Sequence, residues 1–182
     1  MMTQSISILD TWPTVASTDP PWILITKRQL EDPIMCLPAS ASGDCCIRRI
    51  SGNHIVDETS FHNELAAAFQ FPWYYGRNLN AAIDCLQELG WCERKHRVVL
   101  MMVINAHLLI DVEAGTLVNP LIYLMDIEKI IGPWMAVEYR WSRSWVKPPT
   151  SFKLLLHASD DSAFLRLQDA VKAHTTSYAV LE

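Results

Sequence analysis

The stretch of sequence that decides the fold spans residues 71 to 86: Phe71-Pro72-Trp73-Tyr74-Tyr75-Gly76-Arg77-Asn78-Leu79-Asn80-Ala81-Ala82-Ile83-Asp84-Cys85-Leu86. It joins an aromatic turn to a short segment with one carboxylate. Pro72 restricts its own φ and disfavours helix at Phe71, and we expect Gly76 to adopt a backbone conformation closed to other residues. Asn78 is a good N-cap, so a helix is predicted to begin near Leu79.

The predicted helix, from Leu79 to Leu89, has an apolar face and a polar face. Its apolar residues recur at the i, i+3, i+4, i+7 spacing of one helix face, and they are Leu79, Ala82, Ile83 and Leu86. The opposite face carries Asn80, Asp84, Gln87 and Glu88. Tyrosine and tryptophan lie on the turn next to this polar face, which is the composition found at the centre of protein interfaces.

This stretch resembles the signature segment of the barstar family, the intracellular protein inhibitors of secreted ribonucleases. The shared elements are an aromatic residue before Tyr-Tyr-Gly, an Asn-Leu pair two residues on, and Asp-Cys-Leu after the next helical turn. The resemblance is strong from about His54 to Trp91 and only topological from Val98 to His157. It implies an α/β fold with a barstar-like three-layer arrangement, in which helices pack on a small parallel sheet.

The resemblance also implies how the protein works. A ribonuclease holds phosphate in a cationic pocket, and a carboxylate that enters the pocket imitates the phosphate. Asp84 is expected to take this role. The predicted partner surface consists of Tyr74, Gly76, Asn78, Leu79, Asn80, Ile83, Asp84 and Gln87. We therefore expect a non-enzymatic immunity protein that binds and inhibits a ribonuclease, expected to be a toxin, as a monomer in a 1:1 complex, without a cofactor or a metal.

Three departures from the family pattern bear on the partner. Asn80 stands where the well-known member has a second acid, Ile83 stands where it has a tryptophan, and Arg77 replaces an acid in the loop. These changes make the surface less negative, so electrostatic steering toward a strongly basic nuclease is expected to be weaker. The sequence therefore predicts a different ribonuclease as the partner, matched to this inhibitor by its own contacts.

Composition and charge fit this prediction without requiring it. The chain has 182 residues, 50% of them hydrophobic, and a formal net charge of -5, which disfavours a direct nucleic-acid binder. The five cysteines have no CxxC pair, so neither a disulfide framework nor a zinc site is expected; they are Cys36, Cys45, Cys46, Cys85 and Cys92. The amino terminus lacks the pattern of a secretory signal, and the longest apolar run is too short to cross a bilayer. We expect a cytoplasmic protein without a membrane partner.

The rest of the chain predicts an alternation of strands and helices. Strands are predicted at Trp22–Thr26, Cys45–Ile50, Val98–Ile104 and Ser151–His157, the third being apolar on both faces like a central parallel strand. Helices are predicted after a cap at Thr59 or Ser60, from Asn119-Pro120 to Ile131 with an end at Gly132, and from Asp160 to His174. The pattern of Pro133–Trp145 fits either a helix or a strand, and the resemblance favours a helix.

These elements predict a barstar-like domain with additions at both ends. Residues 1–44 form an N-terminal extension with one added strand, residues 45–157 form the barstar-like domain, and residues 158–182 form a C-terminal helix packed on the same domain. We expect the added strand at one edge of the sheet and the C-terminal helix at the other, because both would protect edges that invite pairing.

Two alternative functions stay open at this point. The same scaffold is compatible with an immunity protein against a toxin of another activity, such as a deoxyribonuclease. A cysteine-dependent enzyme or redox sensor is less favoured, because no local motif frames any thiol. Such an enzyme would also need a histidine as its base. We expect two of the candidates, His62 and His96, to be surface or cap residues.

Overall fold

A parallel β-sheet forms the centre of the structure. The computed structural model describes residues 23–27, 45–88, 98–112, 119–138 and 151–181. Within these ranges the strands are β1 (Ile23–Thr26), β2 (Cys45–Ser51), β3 (Val98–Ile104), β4 (Ser151–His157) and β5 (Tyr178–Leu181). Their order across the sheet is β2-β3-β4-β1-β5, and every neighbouring pair is parallel. The strands predicted at residues 45, 98 and 151 are therefore confirmed.

Four α-helices accompany the sheet in the described residues. They are α1 (Glu58–Phe69), α2 (Leu79–Glu88), α3 (Pro120–Glu138) and α4 (Asp161–His174), and two 3-10 segments lie at Gly52–His54 and Ala106–Asp111. None of the helices in these ranges combines the length and the apolar composition needed to cross a membrane. The helix predicted at residues 160–174 is confirmed, with Asp160 as its N-cap.

The main hydrophobic core lies between the helices and one face of the sheet. Buried residues of all four helices pack there against alternate strand residues such as Ile25, Met101 and Leu154. The other face has a smaller buried cluster, whose described members all come from strands: Leu24, Val98, Leu100, Met102 and Leu155. The α/β class, with helices packed on a parallel sheet, is thus confirmed, whereas a helical layer on the second face stays a prediction.

The position predicted for β1 at an edge of the sheet is wrong. The strand lies between β4 and β5, where Leu24 is level with Leu155 on one side and with Ala179 on the other. All four of its residues are buried. A strand that is apolar on both faces suits an interior position better than an edge. The edge on this side of the sheet is formed by β5, a strand that was not predicted from the sequence.

The C-terminal helix does not cover a sheet edge either. It follows β4, precedes β5, and buries Ala163, Leu167 and Val171 in the main core. The expectation was wrong because the helix is a crossover connection between parallel strands, and such helices pack on a face of the sheet. The division of the chain at residues 44/45 and 157/158 stays a prediction, although strands from beyond both boundaries share the sheet with the predicted domain.

Two helix ends differ from their predicted positions. The N-cap of α1 is Asp57, whose carboxylate accepts a bond from the backbone N–H of Ser60, while the Ser60 hydroxyl bonds the Asp57 backbone N–H. Ser60 is thus the third helical residue of a capping box and not the cap itself. Helix α3 begins after its predicted cap Asn119 but continues past Gly132 to Glu138, so the end predicted at Gly132 is wrong. Residues 139–145 lie outside the described residues.

Candidate partner-binding surface

The aromatic loop, residues 70–78 between α1 and α2, divides its rings between the core and solvent. Phe71 and Tyr75 pack against the main core, with ring centroids 4.7 Å apart. Trp73 and Tyr74 point outward, with exposures of 95% and 61%. Their rings contact each other edge to face at 5.8 Å. The loop therefore presents two large aromatic side chains on a base that is anchored in the core.

The anchor of this loop is a hydrogen bond between Tyr75 and His62 of α1. The Tyr75 hydroxyl lies 2.6 Å from Nδ1 of His62, whose side chain is only 1% exposed. Both rings also make edge contacts in a buried aromatic cluster, in which the His62 ring lies 5.7 Å from the ring of Tyr123 of α3. The expectation that His62 is a surface or cap residue is therefore wrong; His96 lies outside the described residues.

Burial controls the ionisation of this cluster. It lowers the pKa of His62, and the positive charge of Arg77 lowers it further. Burial also raises the pKa of the Tyr75 hydroxyl far above its ordinary value, and it does the same for Tyr123. Both tyrosines and the histidine are thus neutral near pH 7, so the loop rests on hydrogen bonding and ring packing and not on an ion pair.

The turn into α2 depends on three consecutive residues. Arg77 has the left-handed conformation, with φ 49°, whereas Gly76 does not lie in that region, so the conformational role expected for Gly76 is wrong. Gly76 is instead limited by space, because an added Cβ would lie 3.1 Å from Nδ2 of Asn78. Asn78 caps the helix as predicted: its Oδ1 accepts from the Ala81 N–H at 2.9 Å, and its Nδ2 donates to the Gly76 carbonyl.

Helix α2 has the two faces that its sequence predicts. Ala82, Cys85 and Leu86 are buried, while Asn80 and Asp84 are exposed. The core-facing residues hold the helix against α3 and the rest of the main core. The exposed face is therefore free of a structural task and presents one amide and one carboxylate beside the aromatic loop.

One surface depression lies away from the predicted partner surface. A depression of about 510 Å³ is lined by residues that follow β2 and β3, including the exposed Val56 and Leu108. It shares no residue with the predicted partner surface. In the described residues, no group of three or more His, Cys, Asp or Glu side chains is arranged to hold a metal ion. The aromatic loop and the exposed face of α2 together present aromatic and polar side chains to solvent, a composition suited to contact with another protein.

The loop and helix that form this surface lie within a segment that matches a known family. Residues 46–117 match the Barstar (barnase inhibitor) family. The barstar segment includes β2 from its second residue onward, both 3-10 segments, α1, the aromatic loop, α2 and β3. It ends before α3, and β1, β4, α4 and β5 lie outside it. No curated protein matches the chain.

The eight predicted partner residues all lie within the barstar segment, on the continuous stretch from residue 74 to residue 87. Five are exposed: Tyr74, Gly76, Asn78, Asn80 and Asp84. The other three, Leu79, Ile83 and Gln87, are half-buried, and Leu79 and Ile83 pack against the main core. The stretch thus combines exposed groups with the residues that support them, while the binding role of each residue stays a prediction.

Sequence reasoning missed two features of this surface. Trp73 is its most exposed side chain, yet it was not among the predicted partner residues. The available signal was its place among the aromatic residues of the turn, a composition that the sequence analysis itself connected with protein interfaces. The support of the loop by His62 had no comparable signal, because a histidine on a helix gives no indication of a tyrosine 13 residues later as its partner.

Proposed function

We propose that this protein is a non-enzymatic inhibitor that binds a nuclease, in the first place a ribonuclease toxin, and blocks its active site. The proposal rests on one observation: the exposed Asp84 and the exposed Trp73–Tyr74 pair lie on the barstar segment, on a loop and helix whose other faces are buried. The family description names an inhibitor of barnase, and the family consists of inhibitors rather than enzymes. As an immunity protein, it acts in the cytoplasm of the cell that makes it and binds its partner 1:1.

The carboxylate of Asp84 is the group that occupies the partner's catalytic cleft. A nuclease stabilises the negative charge of its reacting phosphate with arginine, lysine and histidine side chains. Asp84 lies on the exposed face of a helix that is held by its opposite face, so it reaches into such a cleft without rearrangement of the core. Because the cationic groups of the nuclease would lose their water on binding, pairing them with a carboxylate is favourable and leaving them unpaired is costly.

The aromatic pair supplies the apolar part of the interface. Tyrosine and tryptophan often dominate the binding energy of interfaces, and Trp73 and Tyr74 are presented by a loop that is anchored at Tyr75 and capped at Asn78. A loop already held in shape loses little conformational entropy when it binds. Because the same loop and helix carry Arg77 and Asn80 as well as Asp84, we expect the interface to depend on these aromatic contacts more than on overall charge.

Affinity capture with matched variants tests the proposal. Wild type, Asp84→Ala and Asp169→Ala are immobilised, exposed to lysate of the source cell, and eluted with high salt. Asp169 is also an exposed helix carboxylate but lies on α4, so it controls for the loss of one surface charge. The eluted proteins are assayed for cleavage of RNA and of DNA, with and without added wild type.

We expect wild type and Asp169→Ala to retain a nuclease that wild type inhibits, and Asp84→Ala to lose it. The expected loss of affinity is about 2 kcal/mol or more, because a cationic pocket would be left unpaired. Urea unfolding of the Asp84 variant checks that its fold is intact. Equal capture by all three proteins would show that the binding surface lies elsewhere, cleavage of DNA alone would replace the ribonuclease by a deoxyribonuclease, and a partner without nuclease activity would refute the proposal.

A further inference from the structure

The hydrogen bond between His62 and Tyr75 joins the aromatic loop to the body of the protein. Tyr75 stands between Tyr74 and Gly76, which are both in the predicted partner surface, so its position determines where they are presented. Two side-chain hydrogen bonds of the loop reach other elements: this 2.6 Å contact and the bond that Asn78 accepts from the Ala81 N–H of α2. A single buried imidazole therefore holds the Tyr75 hydroxyl, while packing of the Phe71 and Tyr75 rings and the bond from the Phe71 N–H to the Ala66 carbonyl hold other parts of the loop.

The tautomer of neutral His62 sets which partner donates in this bond. A phenol is a good donor, which favours the tautomer in which the Tyr75 hydroxyl donates to Nδ1 and the ring proton of His62 resides on Nε2. In the described structure Nε2 is buried and has no hydrogen-bond partner, since the nearest carboxylate oxygen, Oε1 of Glu58, is 3.9 Å away. Protonation places a hydrogen on Nδ1, so the Tyr75 hydroxyl has to turn and accept from it, while the charge stays buried and the Nε2–H still has no acceptor.

The surroundings of His62 do not compensate a positive charge well. Tyr123 of α3 and Phe61 of α1 contact the ring with neutral aromatic side chains. Arg77 of the loop repels the charge, and Glu58, one helical turn earlier, attracts it from beyond hydrogen-bond distance. A protonated imidazole is therefore better accommodated when the loop moves away and admits water.

We propose that His62, through its hydrogen bond to Tyr75, positions the aromatic loop for partner binding and releases the loop when the imidazole is protonated. This inference rests on the proposed function for its biological meaning, but the loop itself responds without a partner. Neutral His62 holds Trp73 and Tyr74 in the presented arrangement, and protonated His62 allows them to leave it. Acid conditions thus weaken the complex from the inhibitor's side.

The direction of the pH effect follows from the burial of His62. Its pKa in the folded protein lies below the ordinary value of 6.5, because burial and Arg77 disfavour the charged form. The unfolded chain thus takes up a proton at a higher pH than the folded protein, and the stability due to neutral His62 declines as pH falls below about 6.5. Release of the loop begins only below the lowered pKa, so partner affinity is constant near pH 7 and falls in more acidic solution.

The test compares the pH dependence of the loop in four proteins. NMR follows the imidazole of His62 and the backbone amides of Tyr74 and Gly76 between pH 7.5 and pH 4.5 in the free protein. His62→Asn keeps an acceptor close to the Nδ1 position but does not titrate, and Tyr75→Phe keeps the ring without the hydroxyl. His54→Asn is the control, because His54 is exposed and its Nδ1 bonds Glu64 and not the loop.

In wild type and His54→Asn, we expect the amides to shift with the same midpoint as the His62 imidazole, below pH 6.5. In His62→Asn that transition is absent, and in Tyr75→Phe the loop has its low-pH signals already at pH 7.5. Affinity for the nuclease recovered by capture falls about tenfold per pH unit below the midpoint in wild type, and this part of the pH dependence is missing in His62→Asn.

Loop amides that do not follow the His62 titration, or a transition that persists in His62→Asn, would overturn the inference. If His62→Asn does not fold, the wild-type titration and Tyr75→Phe decide it. The two proposals fail separately, because the NMR experiment needs no partner: a normal loop titration with no captured nuclease refutes the proposed function alone, and a captured nuclease with an insensitive loop refutes this inference alone.

Discussion

At the scale of the residue, Asn78 links the aromatic loop to α2 with both ends of its amide. Its oxygen accepts from the Ala81 N–H and its nitrogen donates to the Gly76 carbonyl. We predict that Asn78→Ala lowers the free energy of unfolding by about 1 kcal/mol, as expected for a lost N-cap. Urea unfolding monitored by circular dichroism measures this change.

Asn78→Asp separates the two contacts of this residue. An aspartate keeps the oxygen that caps α2 but has no N–H to donate to Gly76, so we expect nearly wild-type stability with weaker partner binding. A loss of stability as large as that of the alanine variant would show that the bond to Gly76, and not the cap, stabilises the fold.

The cap was predictable from sequence because both partners lie within three residues of Asn78. Tertiary structure alone brings His62 to Tyr75.

At the scale of the element, Gly52 joins the ends of two neighbouring strands. It directly follows β2, and a Cβ there would overlap the carbonyl oxygen of Asn105, the residue after β3, and would lie 3.1 Å from the carbonyl oxygen of Ile104. Both are backbone atoms, which cannot move without displacing the strand end. We predict that Gly52→Ala lowers the free energy of unfolding by about 1–3 kcal/mol, measured by urea unfolding.

Gly76→Ala is the matched control for that substitution. Its added Cβ would lie 3.4 Å from Cβ of Ala81, an ordinary contact distance, and 3.1 Å from Nδ2 of Asn78, whose side chain can adjust. We therefore expect a cost below about 1 kcal/mol at this position. Equal costs at the two glycines would indicate that the ends of β2 and β3 are not as tightly joined as the structure has them.

Helix α3 shows how far local sequence signals reach at this scale. Its start was predictable, because Asn119 and Pro120 are a cap and a first-turn proline, and Oδ1 of Asn119 accepts from the Leu121 N–H. Its end was not, since the helix continues through Gly132 and Pro133, two residues that usually end helices. The buried residues of α3 before that point hold it in the main core, and such packing often overrides local propensity.

At the scale of the whole molecule, β1 is as much a part of the sheet as the strands of the barstar segment. It has neighbours on both sides, and its residues are fully buried. We predict slow amide hydrogen exchange over Ile23–Ile25, comparable with Val98–Ile104 and slower than at the edge strand β5. Slow exchange at Val98–Ile104 without protection at Ile23–Ile25 would contradict the interior position of β1.

Stability measurements extend the same prediction. Ile25→Ala removes a buried side chain from the main core and is expected to cost about 2–4 kcal/mol. Val180→Ala, at the position of β5 level with Ile25, alters a half-buried edge residue and should cost about 1 kcal/mol or less. A small effect at Ile25 would mean that the fold of the barstar segment does not require the strand outside it.

The sequence by itself determined the features that depend on near neighbours: the caps at Asn78 and Asn119, the two faces of α2, the fully apolar β3, and the resemblance carried by residues 71–86. These follow from spacing and from contacts only a few residues apart. Tertiary structure alone decided that β1 lies inside the sheet, that β5 forms its edge, and that His62 is buried beneath Tyr75. Strand order and burial depend on which distant segments exclude water together, and no local pattern encodes that choice.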